Sequence, residues 1–303
     1  MGAIVYRHYD QASLDREYDN ARKIPDGVLA AHRARWAEAS QKARATIRCS
    51  LDVAYGTAPG EKLDVFRPPG DGLAPVQIYI HGGYWSRTDK ADCSYVALGF
   101  TAAGCVTIVI NYGLIPGIDM TELMRQCRMA LSWVFRSARR FGGDPRRIYV
   151  TGHSAGAHLA AMLLATDFAA IDPTVPRGVI RGAVALSGIY DLEPIRLSFV
   201  NKTLALTAED VARFSPVRLR PLMPKTRLML AVGGEEREEY LRQSRDLAEA
   251  WRGEMPNLSM TVLPHADHFS IRAALDDPAS EVCRLIWAQM ELPTPARAAD
   301  LTR

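Results

Sequence analysis

The chain has 303 residues, 48% of them apolar, enough to bury one large core and typical of a single α/β domain with decorations. Its 37 basic and 34 acidic side chains leave a net charge of +3 without a long basic run, so a nucleic-acid partner is not expected. Five cysteines (Cys49, Cys93, Cys105, Cys127, Cys283) form no C-x-x-C pair, which reads as buried thiols in a reducing compartment. No stretch reaches the ~18 uncharged residues of a membrane span, so the expectation is a soluble, cytoplasmic protein.

Residues 11–45 are rich in Ala, Arg and Glu, with imperfect helical spacing and Trp36 as their one large anchor. They read as helices laid across a body that forms later. Residues 47–55 and 62–67 have strand length and are joined by the turn Ala58-Pro59-Gly60, which predicts an antiparallel pair ended by Pro68-Pro69-Gly70. From there strand and helix alternate: strands at 76–80, 106–110, 148–151, 183–186, 228–232 and 260–263, helices at 92–103, 121–141, 155–165, 240–251 and 280–290. The helix at 121–141 has the clearest apolar stripe, through Leu123, Met124, Cys127, Ala130, Leu131 and Val134. This order predicts an α/β domain over 1–303, with a mostly parallel eight-stranded sheet and helices on both faces. Residues 189–225 interrupt it with Pro194, Pro216, Pro221, Pro224 and a short helix at 207–213; an insertion there, beside a strand end, is expected to act as a lid or substrate wall.

The stretch Gly152-His153-Ser154-Ala155-Gly156 lies between a β-rich run and a small-residue helix. A G-x-S-x-G in that setting is a nucleophile elbow, a turn so tight that the serine hydroxyl stands exposed at the strand's end. Ser154 is the candidate nucleophile. A serine hydroxyl needs a histidine to take its proton, and the histidine needs a carboxylate to fix its tautomer; in this architecture the order along the chain is Ser, acid, His. His268, in Asp267-His268-Phe269 after the last strand, is the candidate base, with His265 a structural donor in the same turn. The loop at 233–239 offers Glu235, Glu236, Glu238 and Glu239, of which the last two also suit a helix's first turn; position favours Glu236, then Glu235.

His81-Gly82-Gly83-Tyr84-Trp85 follows the strand at 76–80, where a glycine-rich loop presents backbone N–H groups to an oxyanion; Gly82, Gly83 and Ala155 are the expected donors. His81 reads as a prop for that loop, and His153 and His158 as packed donors. No H-x-x-x-H or carboxylate-rich cluster points to a metal, and no cofactor is expected.

Taken together, His81-Gly82-Gly83-Tyr84-Trp85, the run Gly152 through Met162, Ser187-Gly188-Ile189-Tyr190-Asp191-Leu192-Glu193-Pro194-Ile195, and Arg242-Gln243-Ser244 followed by His265-Ala266-Asp267-His268-Phe269 resemble the kynurenine formamidases (arylformamidases). These are a branch of the α/β-hydrolase fold close to the hormone-sensitive-lipase type of esterases. The resemblance runs from about residue 47 to the end and implies a Ser154–His268–Glu236 triad, with glutamate where the family usually has aspartate. It implies a small-molecule aromatic amide substrate, N-formyl-L-kynurenine, or an aromatic or short-chain ester, and Tyr84, Trp85, Ser187, Tyr190 and Phe199 are expected near it. The oligomeric state is left open, a homodimer included.

Overall fold

The structure is a computed structural model and describes residues 2–292; the ends of the expected 1–303 domain, residue 1 and residues 293–303, lie outside the described residues. A short hairpin, β1 (Ile4–Tyr6) and β2 (Tyr9–Asp10), opens the chain. The main sheet holds β3 (Cys49–Ala54), β4 (Lys62–Phe66), β5 (Ala74–Ile80), β6 (Val106–Ile110), β7 (Gly143–His153), β8 (Ile180–Leu186), β9 (Arg227–Gly233) and β10 (Leu258–Leu263). Their spatial order is β10-β9-β8-β7-β5-β6-β4-β3. The six strands from β10 to β6 run parallel, while β4 and β3 are antiparallel. The middle strands are continuous apolar runs because helices cover both faces: Val76, Ile78 and Ile80 face one core, Tyr79, Val109 and Val184 the other.

Register makes the site. Ile80 pairs with Gly152, His153 with Leu186, Leu186 with Ala231, and Gly233 with Leu263, so the carboxyl ends of β5, β7, β8, β9 and β10 finish at one level. The ladder continues past the strand ends, since the Ser154 amide donates to the Leu186 carbonyl (2.9 Å) and the Ser187 amide to that of Ala231 (2.7 Å). Five loops distant in sequence therefore open onto one rim, where ligands of open α/β sheets bind.

The expected strands are present, with β7 longer than its apolar stretch. The helix expected at 92–103 is divided into a 3₁₀ turn (Lys90–Cys93), whose Asp89 and Asp92 form a reciprocal capping box, and a helix at Val96–Ala102. Residues 11–45 form two helices, Gln11–Tyr18, capped by Asp10, and Val28–Thr46. The second docks on the body by polar pins as well as Trp36: Arg44 donates to the Ala91 carbonyl (2.7 Å), and Arg35 grips Asp276 with two hydrogen bonds (2.6 and 2.9 Å). Among the described residues no helix is long and apolar enough to cross a membrane.

Candidate active site

At the end of β7 the chain turns into the Ala155–Leu164 helix with Ser154 at φ 56° and ψ −121°, a region that side-chain-bearing residues rarely occupy. The turn demands glycine on both sides. A Cβ on Gly152 would lie 2.1 Å from the Gly156 carbonyl oxygen, and one on Gly156 would lie 2.0 Å from that of Ile80. The strained serine is thus held by close backbone packing on the central strands.

His268 Nε2 lies 3.1 Å from Ser154 Oγ, and His268 Nδ1 lies 2.7 Å from Glu236 Oε2. Both distances are within hydrogen-bond reach, so a carboxylate, an imidazole and a hydroxyl form one chain. Glu236 is fixed through its other oxygen, which accepts from the Gly233 amide (2.8 Å) and from the Ser187 hydroxyl. The ring of His268 is also contained: Tyr240 sits 4.6 Å away centroid to centroid, and His153 Nε2–H donates to the His268 carbonyl (2.8 Å). Burial, then the neighbouring charges of His268 and Arg272, push His153 well below the ordinary imidazole range, so it stays a neutral donor.

The loop after β5 approaches the elbow so closely that a Cβ on Gly82 would meet the Ser154 Cβ at 3.0 Å. The amides of Gly82, Gly83 and Ala155 have no acceptor among the described residues, leaving them free for an incoming oxygen. His81 is fully buried behind them, stacked on Tyr112 at 4.3 Å, and burial lowers its pKa, as befits a neutral prop.

These groups face a cavity of about 440 Å³, within the size range of small-molecule sites. Ser154, His268, Gly83, Tyr84 and Phe199 line it, together with Tyr18, Asn20, Leu29, Arg33 and Trp36 from the N-terminal segment. Of the expected insertion at 189–225, Phe199 alone is on this wall.

Three expected substrate contacts are corrected. Trp85 is wholly buried with its indole N–H given to His158 Nδ1 (3.2 Å), Ser187 is wholly buried on Glu236, and Tyr190 is wholly buried with its backbone amide on Gln243 (2.5 Å). None lines the cavity. Each is turned inward by its own contacts: Trp85 toward His158, Ser187 toward Glu236, and Tyr190 into the apolar core. Glu235 and His265 are exposed and away from the hydroxyl. Tyr240 and Arg272, both beside the cavity or its base, were not expected from sequence. The available signal was spacing, since Arg272 lies four residues, about one helical turn, beyond His268.

An open sheet of this order, with a serine elbow after its central strand and an imidazole above it, defines an α/β-hydrolase of the serine-hydrolase class. The BD-FAE family model matches residues 63–202. The chain is 34% identical to the kynurenine formamidase of Danio rerio over 281 residues, 90% of this chain and 94% of the fish protein. It is 32% identical to that of Salmo salar over 295 residues, 94% and 98% of the two chains. The isoprenylcysteine alpha-carbonyl methylesterase of Arabidopsis thaliana is 31% identical over 195 residues, 59% of this chain and 45% of the plant protein. A crystal structure of a candidate thioesterase from Silicibacter sp. tm1040 superposes with a TM-score of 0.77 at 30% identity, covering 90% of this chain and 98% of that one. The chain belongs to the kynurenine formamidase family.

Proposed function

We propose that the protein hydrolyses N-formyl-L-kynurenine to formate and L-kynurenine through a formyl-enzyme on Ser154. The observation that supports this reading is the unbroken Glu236–His268–Ser154 chain facing a cavity, in a protein similar over nearly its whole length to kynurenine formamidases. Ser154 Oγ attacks the formyl carbon as His268 Nε2 takes its proton, and the carboxylate of Glu236 stabilises the resulting imidazolium. The amides of Gly82, Gly83 and Ala155 receive the oxyanion. His268 then hands the proton to the departing aniline nitrogen as the C–N bond breaks, a necessary step because a free anilide is a poor leaving group. Water, deprotonated by His268, attacks the formyl ester and releases formate with Ser154 restored.

Tyr84 and Phe199 offer aromatic surface to the ring of the substrate. Reducing, cytoplasmic surroundings belong to the same proposal, since all five thiols are unpaired. A carboxylesterase activity uses the same residues, and the methylesterase relative favours keeping that second reading in view. Comparing kcat/KM for N-formyl-L-kynurenine with that for short p-nitrophenyl esters decides between them; esters preferred by orders of magnitude remove the formamidase assignment. Labelling by a fluorophosphonate probe should vanish in Ser154→Ala, and persistence of the label would move the nucleophile elsewhere.

A further inference from the structure

Three arginines line the cavity: Arg33, Arg87 and Arg272. Arg33 and Arg87 are exposed, whereas Arg272 is 8% exposed. Its guanidinium lies 3.8 Å from the centre of the Trp36 ring, and Nε–H donates to the Tyr95 hydroxyl (3.1 Å). That uses one of five N–H donors. No Asp or Glu oxygen among the described residues comes within ion-pair distance of it. Two other arginines that hold structure together are paired: Arg35 with Asp276, and Arg242 with the fully buried Glu239. A cation taken out of water without a counter-charge costs stability, which the Trp36 ring offsets in part and an arriving anion offsets further.

The position fits an incoming anion. Arg272 is in the Ser270–Ala273 helix, one turn beyond His268, and both open onto the cavity that holds Ser154. The acids on the same wall form no ion pair with it: Asp19 is paired with Arg22 (3.1 Å), and Asp92 accepts from the amide of Asp89 (3.0 Å). Stacking on Trp36 fixes the plane of the guanidinium, and a planar fork of free N–H groups matches a carboxylate in a two-point contact.

We propose that Arg272 is the carboxylate anchor of this site, so that the enzyme selects aryl amides or esters whose leaving group carries an anionic carboxylate. The proposal rests on Ser154 being the nucleophile and deepens the formamidase reading, because kynurenine carries such a group. Trp36, from the N-terminal helix, is then a specificity element acting through Arg272.

The test uses matched pairs that differ only in carboxylate against carboxamide: 4-(2-formamidophenyl)-4-oxobutanoate and its amide, and the acetate esters of 3-(2-hydroxyphenyl)propanoate and of its amide. For the wild type, kcat/KM should favour the carboxylate by about 30-fold or more, and Arg272→Gln should bring that ratio close to one, with Arg272→Lys in between. An equal preference for both members in the wild type, or a ratio untouched by Arg272→Gln, overturns the proposal. If neither formamide is hydrolysed while the ester pair keeps its ratio, the formamidase reading fails and the anchor stands. Should Arg272→Gln not fold, inhibition of the wild type decides: 4-(2-aminophenyl)-4-oxobutanoate should inhibit at least about 30-fold more tightly than its carboxamide, and equal inhibition refutes the anchor.

Discussion

Replacing Glu236 by glutamine keeps the shape of the side chain and removes its charge, and the surroundings decide what that does. One oxygen faces His268 Nδ1 at 2.7 Å; the other accepts from the Gly233 amide at 2.8 Å and from the Ser187 hydroxyl. An amide cannot serve all three partners. With its oxygen toward His268, its NH₂ meets the fixed Gly233 N–H, leaving a buried donor unpaired at about 1–3 kcal/mol. With its NH₂ toward His268, Nδ1 must accept and the ring proton moves to Nε2, which then cannot take the proton of Ser154. In both orientations the negative charge opposite the forming imidazolium is gone. We therefore expect Glu236→Gln to lose about 10³–10⁴-fold in kcat, about 4–5.5 kcal/mol of barrier, with KM little changed. Glu235, exposed, should change kcat by less than about 3-fold as Glu235→Gln. Steady-state rates on N-formyl-L-kynurenine and an aryl acetate, with thermal melts to confirm folding, measure both. If folded Glu235→Gln loses as much as Glu236→Gln, the acid has been assigned to the wrong position.

Gly83→Ala forces a side chain onto a residue at φ +104° and brings its Cβ to 2.3 Å from the Arg87 carbonyl oxygen, so the oxyanion loop must move; kcat should fall about 10²–10³-fold, and an unchanged kcat removes this loop from the mechanism. Ser187→Ala deletes one of the two hydrogen bonds on the outer oxygen of Glu236 and should lower kcat for amides and esters by a common factor of about 10; a change in their relative kcat/KM would return Ser187 to the substrate wall. His158 is buried, with Nε2–H given to the Phe214 carbonyl (2.7 Å), and burial depresses its pKa to about 4. The unfolded chain, titrating near 6.5, binds that proton first, so this stability is fully present above about 6.5 and is lost as pH falls toward about 4, on the order of 3 kcal/mol in all. Denaturant unfolding of the wild type and His158→Gln at pH 7 and pH 4 should show their difference shifting by that amount, and a constant difference contradicts neutral burial.

Much of the sheet was legible because β5, β6, β8 and β9 are apolar runs bounded by glycine and proline. The front half of β7 was not, since Asp144-Pro145-Arg146-Arg147 has loop composition and becomes strand only through the pairing of Gly143 with Ala74. The hairpin at 4–10 is too short for any periodicity to register. At the site, Ser154, Glu236 and His268 belong to loops whose residue types are set by local turn chemistry, and the structure brings these three together. The wall is different. An aromatic residue has the same composition signal whether it faces a core or a ligand, and only tertiary contacts separate two neighbours of similar backbone: Trp85 turns inward onto His158 while Tyr84 lines the cavity. Arg272 and Tyr240 sit on helices, and which face of a helix meets a cavity is fixed by tertiary packing.

The N-terminal helices carry more of the site than their composition suggests, and the hydrogen bonds show why. The Tyr84 hydroxyl, on the oxyanion loop, donates to the Tyr18 carbonyl (2.8 Å); the Tyr240 hydroxyl donates to Tyr84 (2.8 Å); and Asn20 donates to Tyr240 (2.7 Å). The Tyr240 ring is the one that rests against His268. The Tyr18 hydroxyl reaches Glu239 (2.8 Å) and accepts from Gln243 (2.9 Å), whose own oxygen holds the amides of Tyr190 and Asp191 at the start of the 189–225 segment. Asp15 completes the tie by accepting from the Phe199 amide (2.7 Å). All but the Asp15–Phe199 contact are buried or half-buried, and Tyr84, Tyr240, Glu239 and Gln243 find partners in Tyr18 and Asn20 because residues 11–20 lie across the rim. An unpaired buried hydroxyl or amide costs about 1–3 kcal/mol, so the network is stable as a whole and costly in part. The oxyanion loop, the base and the insertion are consequently held against one another through a segment that contributes no group to the Ser154–His268–Glu236 chain, and Trp36 extends the same segment to Arg272.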